Sequence, residues 1–561
     1  MKLKWFDILG NLNPQLLREL KSRYTFRNIL AAVNISVIGQ FLTYLTLRNR
    51  LPVLVNQAPE FHKYCTGSIV YETQRKCILD SFGNFIINWQ FWWLNLFLFL
   101  SSIGIFVLLV GGAYLLVNDL VIEQRRGTLN FIRLSPQSPQ SILIGKLLGV
   151  PSLLYLIAIL AVPLHLKAGL AAQVPLDLIL IFYAVLIGGC CFFYSAALLL
   201  SLVSSSAISS WLGSGTVLLF LWMTQASPTG TLIDWLFLLS PNQIIPYLTA
   251  ATNLNFYPGL SIPAFNAWQW FYLPLGANAI SLVISILLNY SLWVYWIWLA
   301  LLRRFSNSSR TLLSKQQSYF LVTCFEVVLL GFITKLIEGI PVTDTWYDWR
   351  FLLVFNLIIF LFLIVSLTPS HQALKDWARY RKEPSQTRKI WQLLLLQDLM
   401  WSEKSPAVLA ILFNLAIAST LLIPWIFLNL ATSDQIPALL SLLICSNFIA
   451  VCAIATQILK LRITQNTALW ITGTLVAVTV LPMIILSLIT VNSAQLSMLW
   501  LFTPYAWVAI KSASQFSILL AIVVQYSILG LCAFQLIHDI KKNGESASKT
   551  LFNQHKIHNK W

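Results

Sequence analysis

Charged side chains that interrupt apolar runs are the first candidates for chemistry. Glu326, Lys335 and Glu338 fall within one such run, where an ionised group is expensive in lipid and must face protein or water. Lys335 and Glu338 stand three apart on a helix face and can pair with each other. Glu326 lies deeper with no evident partner, so it is a candidate pathway residue, set against the plainer reading of a hydrogen-bonded structural glutamate. The histidines His62, His165, His371, His538, His555 and His558 are scattered and form no metal set. Neither HExxH nor GxSxG occurs, so no protease or lipase constellation is present and no catalytic residue is assigned. A phosphate-binding GxxxxGK[ST] loop is also missing, because Gly145-Lys146 is followed by Leu147 and lacks the upstream glycine. ATP with Mg2+, if it drives this chain, must be hydrolysed on a partner. Cys65 and Cys77 lie close in sequence between two apolar runs and are a candidate disulfide; the remaining six of the eight cysteines sit in apolar runs as small buried side chains.

The elements that must position these residues are membrane spans. Charged residues make up 10% of the 561-residue chain and apolar residues 58%, against about 25% charged in soluble proteins. Divided into runs of about 20 apolar residues, the sequence reads as an all-α polytopic membrane protein with about twelve transmembrane helices. They run near 26–47, 89–117, 148–166, 175–203, 207–224, 275–302, 319–340, 349–368, 407–430, 436–459, 468–491 and 512–537. A segment between the fifth and sixth, Leu232 to Leu248, is apolar but short and broken by proline, which predicts a re-entrant or interfacial extracytoplasmic piece. The net charge of +17 collects in alternate loops, so it orients the chain by the positive-inside rule rather than marking a nucleic-acid surface. Both termini are then cytoplasmic, and no cleaved leader is read at MKLKWFDILG because it lacks an apolar core and a cleavage site. Organisation follows as an amphipathic helix in 1–25, a six-span domain in 26–304, two spans and a basic linker in 305–387, a second amphipathic helix with four spans in 388–540, and a basic tail in 541–561. The first amphipathic helix carries Leu16, Leu17, Leu20 and Tyr24 with Arg18, Lys21 and Arg23 between them, and is expected to lie in the lipid headgroup layer.

The longest polar interruption of the first third, DLVIEQRRGTLNFIRLSPQSPQSILIGKLLG from Asp119 to Gly149, has a helix grammar of its own. Gly127 can take the left-handed conformation that closes one helix, and Thr128 is a good N-cap for a short helix reaching Leu134. Ser138 before Pro139 then caps a further helix that leads back to the membrane. A short helix lying across the membrane surface between two spans results.

These residues carry a resemblance. Glu123, Gly127-Thr128-Leu129, Leu134, Pro136, Ser138 and Gly145-Lys146 resemble the cytoplasmic loop of exporter-type permeases of ATP-binding-cassette (ABC) transporters that keep their ATPase on a separate chain. The resemblance implies that loop 118–147 holds a coupling helix seated in a groove of an ABC ATPase subunit, with Leu129, Phe131 and Ile132 as apolar knobs and Glu123, Arg125 and Arg126 fixing orientation. Gly127, Thr128, Pro136 and Ser138 would shape the loop. It further implies that the first amphipathic helix is the elbow helix of such permeases, that 232–248 is their re-entrant segment, and that the membrane is a bacterial inner membrane. The corresponding loop of the second half, Lys460 to Thr467, lacks these residues; either the second half is a degenerate partner or, as the favoured reading, a second permease chain completes a homodimer or heterodimer, alongside membrane lipid as a partner. A competing class, an ATPase-independent ion-driven carrier or membrane assembly scaffold, would predict intramembrane charges in both halves. Only the seventh span carries them.

Overall fold

The computed structural model describes residues 10–52, 61–71, 74–204, 206, 208–225, 231–252, 268–334, 345–380, 397–463, 467–489 and 496–544. Lys335, Glu338 and the start of the second amphipathic helix, 391–396, lie outside the described residues. Among the described residues, eleven helices are long and apolar enough to cross a membrane, so the chain is an all-α integral membrane protein. The run expected as the fifth span is a shorter helix, Ile208–Met223. Its 16 residues rise about 24 Å at 1.5 Å each, short of a hydrocarbon core about 30 Å thick. The chain divides into two compact units, Met1–Ser306 and Asn307–Trp561.

The first unit opens with α1 (Pro14–Arg23), whose N-cap Asn13 accepts from the Leu16 amide with Pro14 at the first helical position. It continues through α2 (Phe26–Arg48), α3 (Trp89–Phe106), a π-helical turn at Val107–Gly111 and α4 (Gly112–Arg125). α5 (Thr128–Arg133), α6 (Pro139–Gly149), α7 (Ser152–Ala171), α8 (Leu176–Val203), α9 (Ile208–Met223) and α12 (Ala279–Ser306) follow, with short α10 (Asp234–Phe237) and α11 (Ile245–Ala250) before α12. α8 packs between α4 and α12, and α7 packs against both α2 and α3. Lipid offers no hydrophobic drive between helices, so closeness of approach matters. A Cβ at Gly188 of α8 would stand 2.8 Å from Leu287 Cδ2 of α12. Beside the π turn, Tyr194 Oη of α8 donates to the Leu108 carbonyl at 2.7 Å, in addition to the Gly112 amide.

α10 and α11, with a 3-10 turn at Pro241–Ile244 between them, replace a full crossing. Two hydrogen bonds tie this segment to the flanking helices. Gln243 Nε2 donates to the Thr224 carbonyl at 2.8 Å, and Tyr290 Oη donates to the Leu239 carbonyl at 3.1 Å. Two small sheets accompany the helices, which hydrophobic periodicity did not foresee because strands of two or three residues carry no period. One has the order β1-β3-β2 (Phe61–His62, Gln74–Lys76, Ile69–Tyr71), and the other pairs β4 with β5 (Gln269–Trp270, Leu273–Pro274). Cys65 and Cys77 form a disulfide across the first, with Cα atoms 4.9 Å apart.

The second unit contains α13 (Lys315–Ile333), α14 (Thr345–Leu367), α15 (His371–Tyr380), α16 (Val408–Asn429), α17 (Thr432–Arg462), α18 (Thr467–Ile489) and α19 (Gln515–Asn543). α17 lies at its centre, packed on α14, α16 and α19. A capping box at Ser314 and Gln317 starts α13. The buried Lys315 that follows donates to the Leu399 carbonyl and Ser405 Oγ, both at 2.7 Å, and so fastens the segment before α16.

Candidate functional site

Loop 118–147 is built on three helices that meet at its base. α1 lies across α6, and the contact is possible because α6 carries Gly145-x-x-x-Gly149. A Cβ at Gly145 would stand 2.9 Å from the Leu16 amide nitrogen, and one at Gly149 2.5 Å from Glu19 Cβ. Asn13 serves both helices, since its Oδ1 caps α1 and its Nδ2 donates to the Ser141 carbonyl at 2.8 Å. Gln124 Nε2 of α4 donates to the Ser201 carbonyl at 3.0 Å and ties the loop to the end of α8.

At the centre of this junction Lys146 is only 2% exposed. Its Nζ lies 2.7 Å from Glu19 Oε1 of α1, 2.7 Å from Asp119 Oδ2 and 2.7 Å from Glu123 Oε1 of α4. Arg18 reaches the same Glu123 oxygen at 2.8 Å, and Arg23 reaches Asp119 Oδ1 at 2.7 Å. Three cations therefore face three anions, and the junction is neutral. Burial alone would depress the Lys146 ammonium, but the fields of Asp119, Glu19 and Glu123, with the hydrogen bond to Asp119, outweigh it and hold the group above its ordinary value. The three carboxylate oxygens lie within 4.8 Å of one another, a spacing that suits a metal ion, but the ammonium already stands at the place a cation would take.

This geometry changes the roles expected of several residues. Glu123 does not point outward to orient a partner, because its carboxylate is held within the chain by Lys146 and Arg18. The amphipathic helix presents Gln15 and Glu19 to α6, and Arg18 and Arg23 to carboxylates of α4 rather than wholly to lipid. Leu129 and Ile132, 3% and 7% exposed, face inward among Leu120, Val121 and Leu143 and are not free knobs. The apolar residues that α5 leaves free are Phe131 and Leu134, 76% and 84% exposed. Leu134 is the C-cap of α5 rather than its last helical residue.

The loop's turns follow local chemistry. Gly127 has φ +72°, the left-handed region that glycine enters without a Cβ penalty, and it closes α4 and caps α5 at once. Thr128, expected as the cap, is the first helical residue instead, and its hydroxyl donates to the Glu123 carbonyl at 3.2 Å. Ser138 Oγ accepts from the Ser141 amide at 3.2 Å ahead of Pro139. Arg126, Thr128, Pro136 and Ser138 are exposed around the Phe131 and Leu134 pair. Sequence reading missed the junction that carries this platform, although the Gly145 and Gly149 spacing next to Lys146 was a readable sign of close helix contact.

Glu326 belongs to the second unit. It is fully buried on α13 and accepts from Asn356 Nδ2 of α14 at 3.3 Å, so it has the partner the sequence did not name. No family model, curated protein or solved structure matches this chain.

Proposed function

We propose that this chain is the membrane subunit of an ABC exporter, docking a separate ATPase subunit on α5 and transmitting the closure of that ATPase into its spans. The single observation that carries the reading is an apolar pair, Phe131 and Leu134, held out on a short helix whose base is locked by buried ions and glycine contacts. Free apolar side chains on a mobile loop would dissipate a push, whereas a helix rooted in α1, α4 and α6 passes it on. Tightly packed elements move as units. α4 continues through the π turn into α3, so force applied at α5 enters a helix that runs from Trp89 to Arg125. In this reading the loop side is the cytoplasmic face of a bacterial inner membrane, both termini lie there, α10 and α11 form a re-entrant extracytoplasmic segment, the short α9 serves as a twelfth crossing only with local thinning of the bilayer around it, and a second permease chain supplies the other coupling surface. ATP with Mg2+ is bound by the partner, and this chain performs no catalysis.

The test is co-expression with candidate ATPases and affinity purification. Phe131→Asp together with Leu134→Asp is expected to abolish recovery of the ATPase while leaving the unfolding temperature unchanged, because both side chains are exposed. Leu129→Asp is expected to unfold the loop instead, since it places a carboxylate in the core. Retention of the ATPase by the double variant refutes the reading.

A further inference from the structure

A cavity of about 530 Å³ opens in the second unit where α15, α16, α17 and α19 come together. Its size lies within the range of small-molecule and lipid pockets. Leu399, Val408, Leu412, Ile454, Leu536 and Ile537 make walls that are almost wholly apolar. α15 is held in place over this cleft at both ends. His371 Nδ1 bonds the Lys460 carbonyl at 2.8 Å, and a Cβ at Gly544 would stand 3.0 Å from the Ala378 carbonyl. Leu374 of α15 is buried against Ile454 and Leu536.

One charged group breaks the apolar lining, the exposed Lys541 near the end of α19. The surroundings are basic. Lys541 and Lys542 end α19, and Lys375 and Arg379 lie on α15. Asp539 is paired with Arg462 at 2.7 Å, and Asp376, which accepts from the neutral Gln372 at 2.9 Å, keeps its charge as one carboxylate against these four cations. Basic residues at the ends of spans sit at headgroup depth. An apolar slot at that depth, with a cation at its edge, matches an amphiphile that has an acyl chain and an anionic head.

We propose that this cleft is a binding site for an anionic phospholipid of the surrounding bilayer. One acyl chain fills the slot between α16 and α19, and Lys541 faces the phosphate. The site is independent of any ATPase partner, because it draws only on groups of the second unit.

The test uses the full chain in nanodiscs doped with phosphatidylglycerol or phosphatidylcholine that carries a diazirine in one acyl chain, followed by peptide mapping of the photo-adducts. Adducts are expected on peptides containing Val408 to Leu412 or Leu536 to Ile540. Phosphatidylglycerol should be favoured about fivefold over phosphatidylcholine, the preference that one lysine at the surface provides. Lys541→Glu should remove that preference. Ala533→Phe, which narrows the slot without touching the charge, should lower adducts of both lipids. Equal labelling by the two lipids that ignores Lys541→Glu overturns the proposal. So does an absence of adducts from the wall peptides, the result expected if residues 381–396 of the chain or a second copy cover the cleft.

Discussion

Replacing Lys146 with Met tests whether the junction of α1, α4 and α6 is held by its buried ions. Lys146 is 2% exposed and its ammonium is 2.7 Å from each of three carboxylates, so the variant leaves Glu19, Asp119 and Glu123 crowded within 4.8 Å with only Arg18 and Arg23 to answer them. Removing one partner of a buried ionic group is destabilising by about 3–5 kcal/mol, because uncompensated charge stays out of water. At about 2–4 °C per kcal/mol for a large domain, the apparent unfolding temperature should fall by roughly 6–20 °C. Fluorescence-detected size-exclusion chromatography after heating in detergent reads this shift. Arg18 makes an outer contact with a side chain 53% exposed, so Arg18→Met should shift the midpoint far less, in line with the ~0.2–1 kcal/mol of exposed pairs. Adding Asp119→Asn to Lys146→Met should recover part of the loss, since the two residues share one network. The wild-type protein adds a pH signature. The Lys146 value is raised above its ordinary 10.5, so its contribution is complete below that pH and is lost as pH rises through the folded-state value. Lys146→Met should lack this alkaline component. A midpoint shift under about 2 °C for Lys146→Met would place the cluster with surface ion pairs and refute the lock.

Three further outcomes follow from the same structure. Gly149→Leu drives a side chain into Glu19 at the helix crossing, and should destabilise the first unit by about 1–3 kcal/mol, read as a lower unfolding temperature, whereas Gly473→Leu, where a Cβ meets nothing within 4 Å, should not. Cys65→Ser with Cys77→Ser opens a link between residues 12 apart, and should make the 61–88 segment protease-sensitive through a loss of about 3 kcal/mol. In the wild type, maleimide mass-tagging should reach these two thiols only after reduction. Glu326→Gln preserves the bond with Asn356 Nδ2 at the cost of no charge, so its unfolding temperature should be unchanged or higher, while Asn356→Leu orphans the acceptor and should cost about 1–3 kcal/mol.

Local chemistry made part of the site readable and tertiary contact hid the rest. Ser138 before Pro139 and the left-handed Gly127 are decided within a few residues, so the turns of the loop could be placed from sequence. Which face of α5 looks outward could not, because its six residues span less than two turns and show no clear apolar stripe. Leu129 and Ile132 turn inward only because α4 and α6 are there to cover them, and Phe131 is left free as a result. Glu123 and its partner Arg18 are 105 residues apart, a pairing that spacing cannot report. The spans were legible from length and hydropathy, except where Ile208–Met223 stops short and where the small sheet around Cys65 lies between α2 and α3.

Placing a photo-reactive residue on the free face of α5, as Phe131→p-benzoylphenylalanine, and irradiating intact cells tests the central claim most directly. A covalent adduct with a chain carrying a phosphate-loop ATPase, lost when the reactive group is moved to the exposed Phe82, which this reading puts on the extracytoplasmic side, is the predicted result. An adduct only with lipid, or none at all while the protein remains folded in the membrane, contradicts it.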